Sequence, residues 1–313
     1  MSPFRRFALA VLGYNVAVTL WGAFVRATGS GAGCGAHWPL CNGVVVPRSP
    51  SVETAIELTH RLTSGLALLS VVALVILAFR ALPRGHHGRR AALCAAGFIA
   101  LEALVGAALV TFGWVAKDGS GARAGVMIVH LVNTFLLLGS IALTAALADR
   151  PAGLDLHERG PFAAALGLGL ATVLVSGATG AMAALGDTLF PARTVGEGVL
   201  AELRGGAPLV LRLRLVHPFA SLASALVLLA LARAVLQARD ERLRPHALWL
   251  IGLLLLQVAG GALSVALLAP VWMQIAHLAV ADLTWIALIL LGTAALSPAE
   301  RPAAAPAADG VRP

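Results

Sequence analysis

Long apolar stretches alternate along this chain with short breaks rich in Arg or in Gly and Pro. Eight stretches reach spanning length: roughly Phe7 to Arg26, Glu57 to Phe79, Ala91 to Phe112, Gly125 to Leu147, Phe162 to Leu185, Leu211 to Leu236, Ala247 to Ala269, and Val271 to Leu291. About 20 apolar residues are enough for a helix to cross the hydrocarbon of a bilayer. The pattern therefore predicts an all-α integral membrane protein with eight transmembrane helices. Little more than Pro270 separates the last two stretches, which predicts a tight helical hairpin. The first run follows a basic start but is too long for the apolar part of a signal peptide, so it is read as helix one. The tail, 298–313, is rich in Ala and Pro and is expected to be disordered.

The pattern also repeats. Leu58-Thr59-His60-Arg61-Leu62 matches Leu215-Val216-His217-Pro218-Phe219. Glu102-Ala103-Leu104-Val105-Gly106 matches Gln257-Val258-Ala259-Gly260-Gly261, and Val129-His130-Leu131 matches Ala276-His277-Leu278. Internal repeats are common in membrane proteins. The expectation is two repeated four-helix bundles in the same orientation, 1–150 and 151–297.

Composition agrees with the hydropathy pattern. The chain is 59% hydrophobic and 12% charged, against about 25% charged for a soluble domain. Aromatic residues make up 5% with one Tyr, which argues against a barrel with aromatic girdles. A net charge of +8 could signal nucleic acid, but the arginines lie mostly in short loops, where they orient membrane helices. Fourteen of the 23 basic residues fall on the side of the N-terminus, in concentrated blocks such as Arg80 to Arg90 and Arg233 to Arg244. Both termini are then cytoplasmic, the membrane is the cell membrane, and the loop holding Cys34 and Cys41 lies outside. Those two cysteines flank a Gly/Pro/Trp segment and form a candidate disulfide in an oxidising compartment. Cys94 sits inside an apolar run and is read as a small buried hydrophobe.

Four histidines carry the candidate chemistry. His60, His130, His217 and His277 each fall near the start of an even-numbered span, so all four lie at similar depth near the outer face. Each half contributes two. His37, His86, His87, His157 and His246 lie in loops or at a cytoplasmic helix end and are read as solvated. A lone membrane histidine is more often a packed core residue than a ligand. Four at one depth, in repeat-related pairs, point to metal or heme ligation. Without Cys or a carboxylate cluster, zinc is disfavoured, and each half is expected to offer one bis-histidine heme site.

The halves differ three residues before the histidine. Glu57 precedes His60, whereas Arg214 precedes His217. An arginine there can pair with a heme propionate, or merely snorkel to the interface. A carboxylate can move protons and stabilise developing charge. The asymmetry predicts one site that stores a heme and one that does chemistry, with Glu57 acting in the chemistry rather than in holding the fold. Glu102 and Asp282 lie within spans and are expected to face the bundle interior. Asn133 and Gln257 are read as inter-helix hydrogen-bonding residues.

Phe24 to Cys34 (FVRATGSGAGC), then Trp38-Pro39-Leu40-Cys41-Asn42-Gly43, then Glu57-Leu58-Thr59-His60-Arg61 resemble the heme A synthase family, in its bacterial, cysteine-pair-containing type. The likeness extends through both halves and leaves out only the tail. Two positions depart from the family pattern, Ala27 and Ala36-His37, and neither is a proposed ligand. The resemblance implies an oxidoreductase that converts the C8 methyl of heme O to a formyl group by successive hydroxylations. It implies that His60 and His130 bracket the substrate heme O, with Glu57 catalytic, and that His217 and His277 hold a heme b that relays electrons. Arg61 and Arg214 are the expected propionate partners, and a Cys34–Cys41 disulfide is implied outside. The expected partners are heme O, membrane lipid, heme O synthase and a quinol or other electron donor, with no nucleic acid. Copper, the oxygen source and oligomeric state are left open. The residues alone also accommodate a di-heme b-type cytochrome passing electrons from quinol, or a membrane heme carrier.

Overall fold

A computed structural model describes residues 1–150, 154 and 160–297. The helices are α1 (Pro3–Ala27), α2 (Val52–Ala81), α3 (His87–Thr111), α4 (Gly121–Leu147), α5 (Gly160–Leu189), α6 (Val195–Leu203), α7 (Leu209–Arg214), α8 (Val216–Gln237), α9 (Arg244–Ala266) and α10 (Val271–Leu296). A single 3-10 turn, Ser30–Ala32, follows α1. α7 and α8 run on as one span, Leu209–Gln237, so eight helices are long and apolar enough to cross a membrane. Among the described residues there is no strand, only an isolated bridge between Cys41 and Val44. The fold is that of an all-helical, multi-pass membrane protein, as the hydropathy pattern predicts.

Capping moves several helix starts beyond the apolar windows. Ser51 accepts from the Thr54 N–H and starts α2 at Val52. A side-chain cap satisfies one of the backbone donors that a helix start leaves without a partner. Glu57 and His60 therefore lie in the second and third turns of α2, not at its mouth. Ser120 starts α4 at Gly121 in the same way, and Thr194 starts α6, a helix in the loop between α5 and α7 and outside the apolar windows.

α1 to α4 pack side by side around one ring, and α5, α8, α9 and α10 around a second. The rings meet where α4 and α1 lie against α10 and α5. Val71, Leu74, Leu138, Ile141, Leu228, Leu288 and Leu291 fill the shared core. Trp285 stacks on Phe135 across the junction, ring centroids 5.6 Å apart, and its Nε1–H donates to the Phe135 carbonyl. The close approach needs Gly139, where a Cβ would lie 2.9 Å from the indole nitrogen. Near the other face, half-buried Arg26 of α1 donates to the Ala184 carbonyl and Thr188 Oγ1 of α5 and to Gln274 Oε1 of α10, each at 2.8 Å.

The outer helix faces are apolar, with Leu62, Leu66 and Leu69 of α2 and Phe219, Leu222 and Leu226 of α8 all exposed. That surface suits lipid rather than water. The expected hairpin between α9 and α10 is present. Leu268 and Ala269 make the turn with positive φ, and the Ala269 N–H donates to Ser264 O at 2.7 Å.

Two expectations need correcting. Cys94 is exposed on α3 rather than buried, because its position falls on the outward face of the helix. His86 is buried rather than solvated: Nδ1 caps α3 through the Gly88 N–H, and Nε2 meets the Arg150 carbonyl at 2.8 Å. His157 and the tail expected to be disordered lie outside the described residues.

Candidate functional site

His60, His130, His217 and His277 fall in the second or third turn of the spans α2, α4, α7–α8 and α10. These spans run in the same direction, so the imidazoles lie at one level. Within each half the two histidines are close enough for their charges to interact, His60 with His130 and His217 with His277. Among the described residues no three His, Cys, Asp or Glu side chains converge on one point. The bundle offers imidazoles in twos.

Glycines let the rings lie flat against neighbouring helices. A Cβ on Gly22 of α1 would sit 2.9 Å from the His60 ring, and one on Gly180 of α5 would sit 3.1 Å from the His217 ring. On α9, a Cβ on Gly261 would come within 3.3 Å of His277. Gly22 and Gly180 stand 38 and 37 residues before their histidines, a near-constant offset visible in the sequence. The Nδ1 atoms of His60, His130 and His277 are buried without a hydrogen bond. Imidazoles with open ring nitrogens, facing small residues, fit a planar porphyrin held between helices.

Each histidine has a different neighbour. Glu102 Oε1 lies 3.2 Å from His130 Nδ1, off-line for a hydrogen bond. The Glu102 carboxylate also accepts from Asn133 Nδ2 and Thr134 Oγ1. Gln257 Nε2 is 3.2 Å from His277 Nε2. Thr179 and Ser221 hydroxyls each lie 3.3 Å from His217 Nδ1. The contacts of Glu102 and Gln257 with histidine are not evident from hydropathy, although the repeat match pairs these two positions. Asp282 is fully buried on α10, and neither of its oxygens has a hydrogen-bond partner.

Glu57 is engaged on both oxygens. Oε2 accepts the Cys34 N–H at 2.7 Å, and Oε1 accepts from Arg61 Nε at 3.0 Å and from a second guanidinium nitrogen. The remaining arm of Arg61 donates to the carbonyls of His37 and Leu40. Those carbonyls lie between Cys34 and Cys41, which form a disulfide. Gly33 seals the junction, since a Cβ there would fall 2.5 Å from the Glu53 backbone. Glu57 and Arg61 thus pin the disulfide loop onto α2.

Arg214 stands at the matching position in the second half and performs the same job with opposite charge. It pairs with Asp187 Oδ1 of α5 at 2.9 Å and with Glu202 of α6. Neither Arg61 nor Arg214 is a free cation.

A multi-pass helical membrane protein with histidines paired at one level is the class that this fold and site define. The family model for cytochrome oxidase assembly protein (COX15-CtaA) matches residues 5–289, and the chain belongs to that family. The resemblance read from the sequence is borne out at family level. The chain is 48% identical over 296 residues to the protoheme IX farnesyltransferase of Thermus thermophilus, a match covering 94% of this chain and 49% of that protein. It is 39% identical over 130 residues to heme A synthase of Bacillus mycoides and of Bacillus cereus, covering 42% of this chain and 39% of theirs. The chain thus spans about half the length of the Thermus relative, and its match to the Bacillus proteins is shorter still.

Proposed function

We propose that this protein is a heme A synthase: it oxidises the C8 methyl of substrate heme O to a formyl group by successive hydroxylations. The observation that carries the reading is the two histidine pairs, at one level in two helical rings, in a chain of this family. His60 and His130 hold the substrate in the first half, 1–150. His217 and His277 hold heme b in the second half, 151–297. When bound, heme b supplies one-electron transfer toward the substrate centre. Both termini are cytoplasmic and the disulfide loop lies outside the cell membrane, because the basic residues concentrate on the terminal side.

The chain's own residues do the remaining work. The apolar helix walls exclude water from the reacting methyl. Glu57 serves the reaction from a carboxylate that is already bound. Oε1 is occupied twice by Arg61, whereas Oε2 accepts only the Cys34 N–H and keeps a lone pair that can take a proton from the reacting group. Arg61 and Arg214 are already paired with carboxylates, so a heme propionate would share their remaining N–H donors with Glu57, or with Asp187 and Glu202.

The Thermus relative supports a placement in sequence. By its name that relative transfers a farnesyl group to protoheme IX, and it is about twice as long as the matched region. A farnesylated protoheme is heme O, so a heme O synthase would supply this protein's substrate. A quinol or another reductant is the proposed electron source; the balance then has dioxygen as oxidant, with two electrons and two protons consumed per hydroxylation, one oxygen atom entering the methyl group and the other leaving as water.

The test is heme extraction and mass analysis from membranes expressing the chain with a heme O supply. Appearance of the hydroxylated and formyl hemes is expected. Unchanged heme O, alongside bound heme, would replace this reading with a di-heme cytochrome or a heme carrier.

A further inference from the structure

Matched positions of the two halves place different groups against a histidine. Glu102 Oε1 of α3 lies 3.2 Å from His130 Nδ1, off-line for a hydrogen bond, and Gln257 Nε2 of α9 lies 3.2 Å from His277 Nε2. The Glu102 carboxylate is set from the α4 side: Asn133 Nδ2 holds Oε2 while also donating to Phe98 O at 2.9 Å, and Thr134 holds Oε1. Both residues are buried and lie one turn beyond His130 on α4. An ionised carboxylate accepts only, and the Asn133 and Thr134 donors both suit it. Gln257 has no charge, and its Oε1 is left without a partner. His60 Nδ1 meets nothing, and His217 Nδ1 meets only hydroxyls.

A group that takes the far N–H of a ligating imidazole fixes its tautomer and raises its basicity at the metal. A carboxylate does this more strongly than an amide because it also brings a negative charge into a low-dielectric setting. We propose that Glu102 is a positioning residue for His130: from 3.2 Å, a small turn of the ring brings Nδ1–H into line with Oε1, which would leave Nε2 to ligate iron and hold the His60/His130 centre at a lower reduction potential than a neutral side chain would. This rests on the histidine-pair reading above. It gives the electron-rich ligand to the half assigned to oxidation of the substrate and leaves the relay half with a neutral neighbour.

The test uses the full chain in detergent, loaded with hemin, and reads midpoint potentials by spectroelectrochemical titration. A His217→Ala background leaves only the first pair intact. There, Glu102→Gln gives the first half the residue that the second half carries. Reduction should become about tenfold or more favourable, roughly 59 mV for a one-electron couple. In a His60→Ala background, Gln257→Glu places a carboxylate at His277 Nε2, leaves Nδ1 to the iron, and should shift the second centre in the opposite direction. A fully loaded Glu102→Gln protein with an unmoved midpoint overturns the proposal. If that variant takes up no heme, the second arm decides, and a midpoint unmoved by Gln257→Glu overturns it. A parent chain that binds no hemin overturns the histidine-pair reading itself, and the role of Glu102 falls with it.

Discussion

Glu57→Gln separates two jobs for one carboxylate. In the structure the side chain is 4% exposed and holds both Arg61 and the Cys34 N–H. The glutamine keeps the size and one acceptor, which can still serve Cys34. Its amide N–H then faces the guanidinium, donor against donor. Breaking one side of a buried ion pair costs about 3–5 kcal/mol. Arg61 keeps the His37 and Leu40 carbonyls and is 12% exposed, so the lower end applies, about 3 kcal/mol. At about 1.4 kcal/mol per factor of ten, the loop should open roughly a hundredfold more often. Hydrogen–deuterium exchange reads this directly, since local opening sets amide exchange. The reporters are the Asn42 N–H on Cys34 O at 2.9 Å and the Cys41 N–H on Val44 O at 2.8 Å. Heme A formation should fall in parallel. Loss of heme A with unchanged loop exchange would refute the latch and leave Glu57 to chemistry alone.

Other outcomes follow from single contacts. Thiol labelling of denatured, unreduced protein should modify Cys94 alone, because Cys34 and Cys41 are bonded to each other; three labels per chain would contradict this. His217→Ala should lower bound heme b and remove its bis-histidine spectrum, and an unchanged spectrum would remove His217 from the ligand set. At the terminal face, hydrogen bonds from Ser2, with help from Arg5, hold the Asp149 carboxyl below its ordinary value of 3.8. A depressed carboxyl stabilises above its unfolded value and loses that contribution as pH falls through the folded one. The clamp of the N-terminus on Asp149 should therefore weaken below about pH 4, by at most about 0.5 kcal/mol because it is exposed. Asp149→Asn should abolish that pH dependence of N-terminal amide exchange.

Hydropathy made the eight spans legible, and the recurrence of His60 at His217 and of His130 at His277 made the level of the site legible. The disulfide followed from two cysteines in one loop. What stayed hidden was whom each polar residue meets. Glu57 and Arg214 look like a difference in chemistry when read along the chain. In three dimensions each fastens an inter-helix loop or neighbouring helix to a histidine helix, with the charges exchanged. That equivalence depends on Cys34, Asp187 and Glu202, which lie far away in sequence from the matched motif. α6 escaped notice because nine residues in a loop carry too short a periodic signal. His86 was misjudged because its partner, the Arg150 carbonyl, comes from another loop.

Arg26 bears on how the protein is assembled. Its guanidinium belongs to α1 but is satisfied by α5 and α10, the first and last spans of the other half. During synthesis α1 enters the bilayer long before either. Until α10 arrives, this half-buried cation lacks part of its coordination, which within the hydrocarbon of a bilayer costs up to a few kcal/mol. The first half by itself is thus an incomplete object, and separately made halves should be stable only when they meet. The joint between the halves is as much a condition for membrane insertion as a contact in the finished molecule.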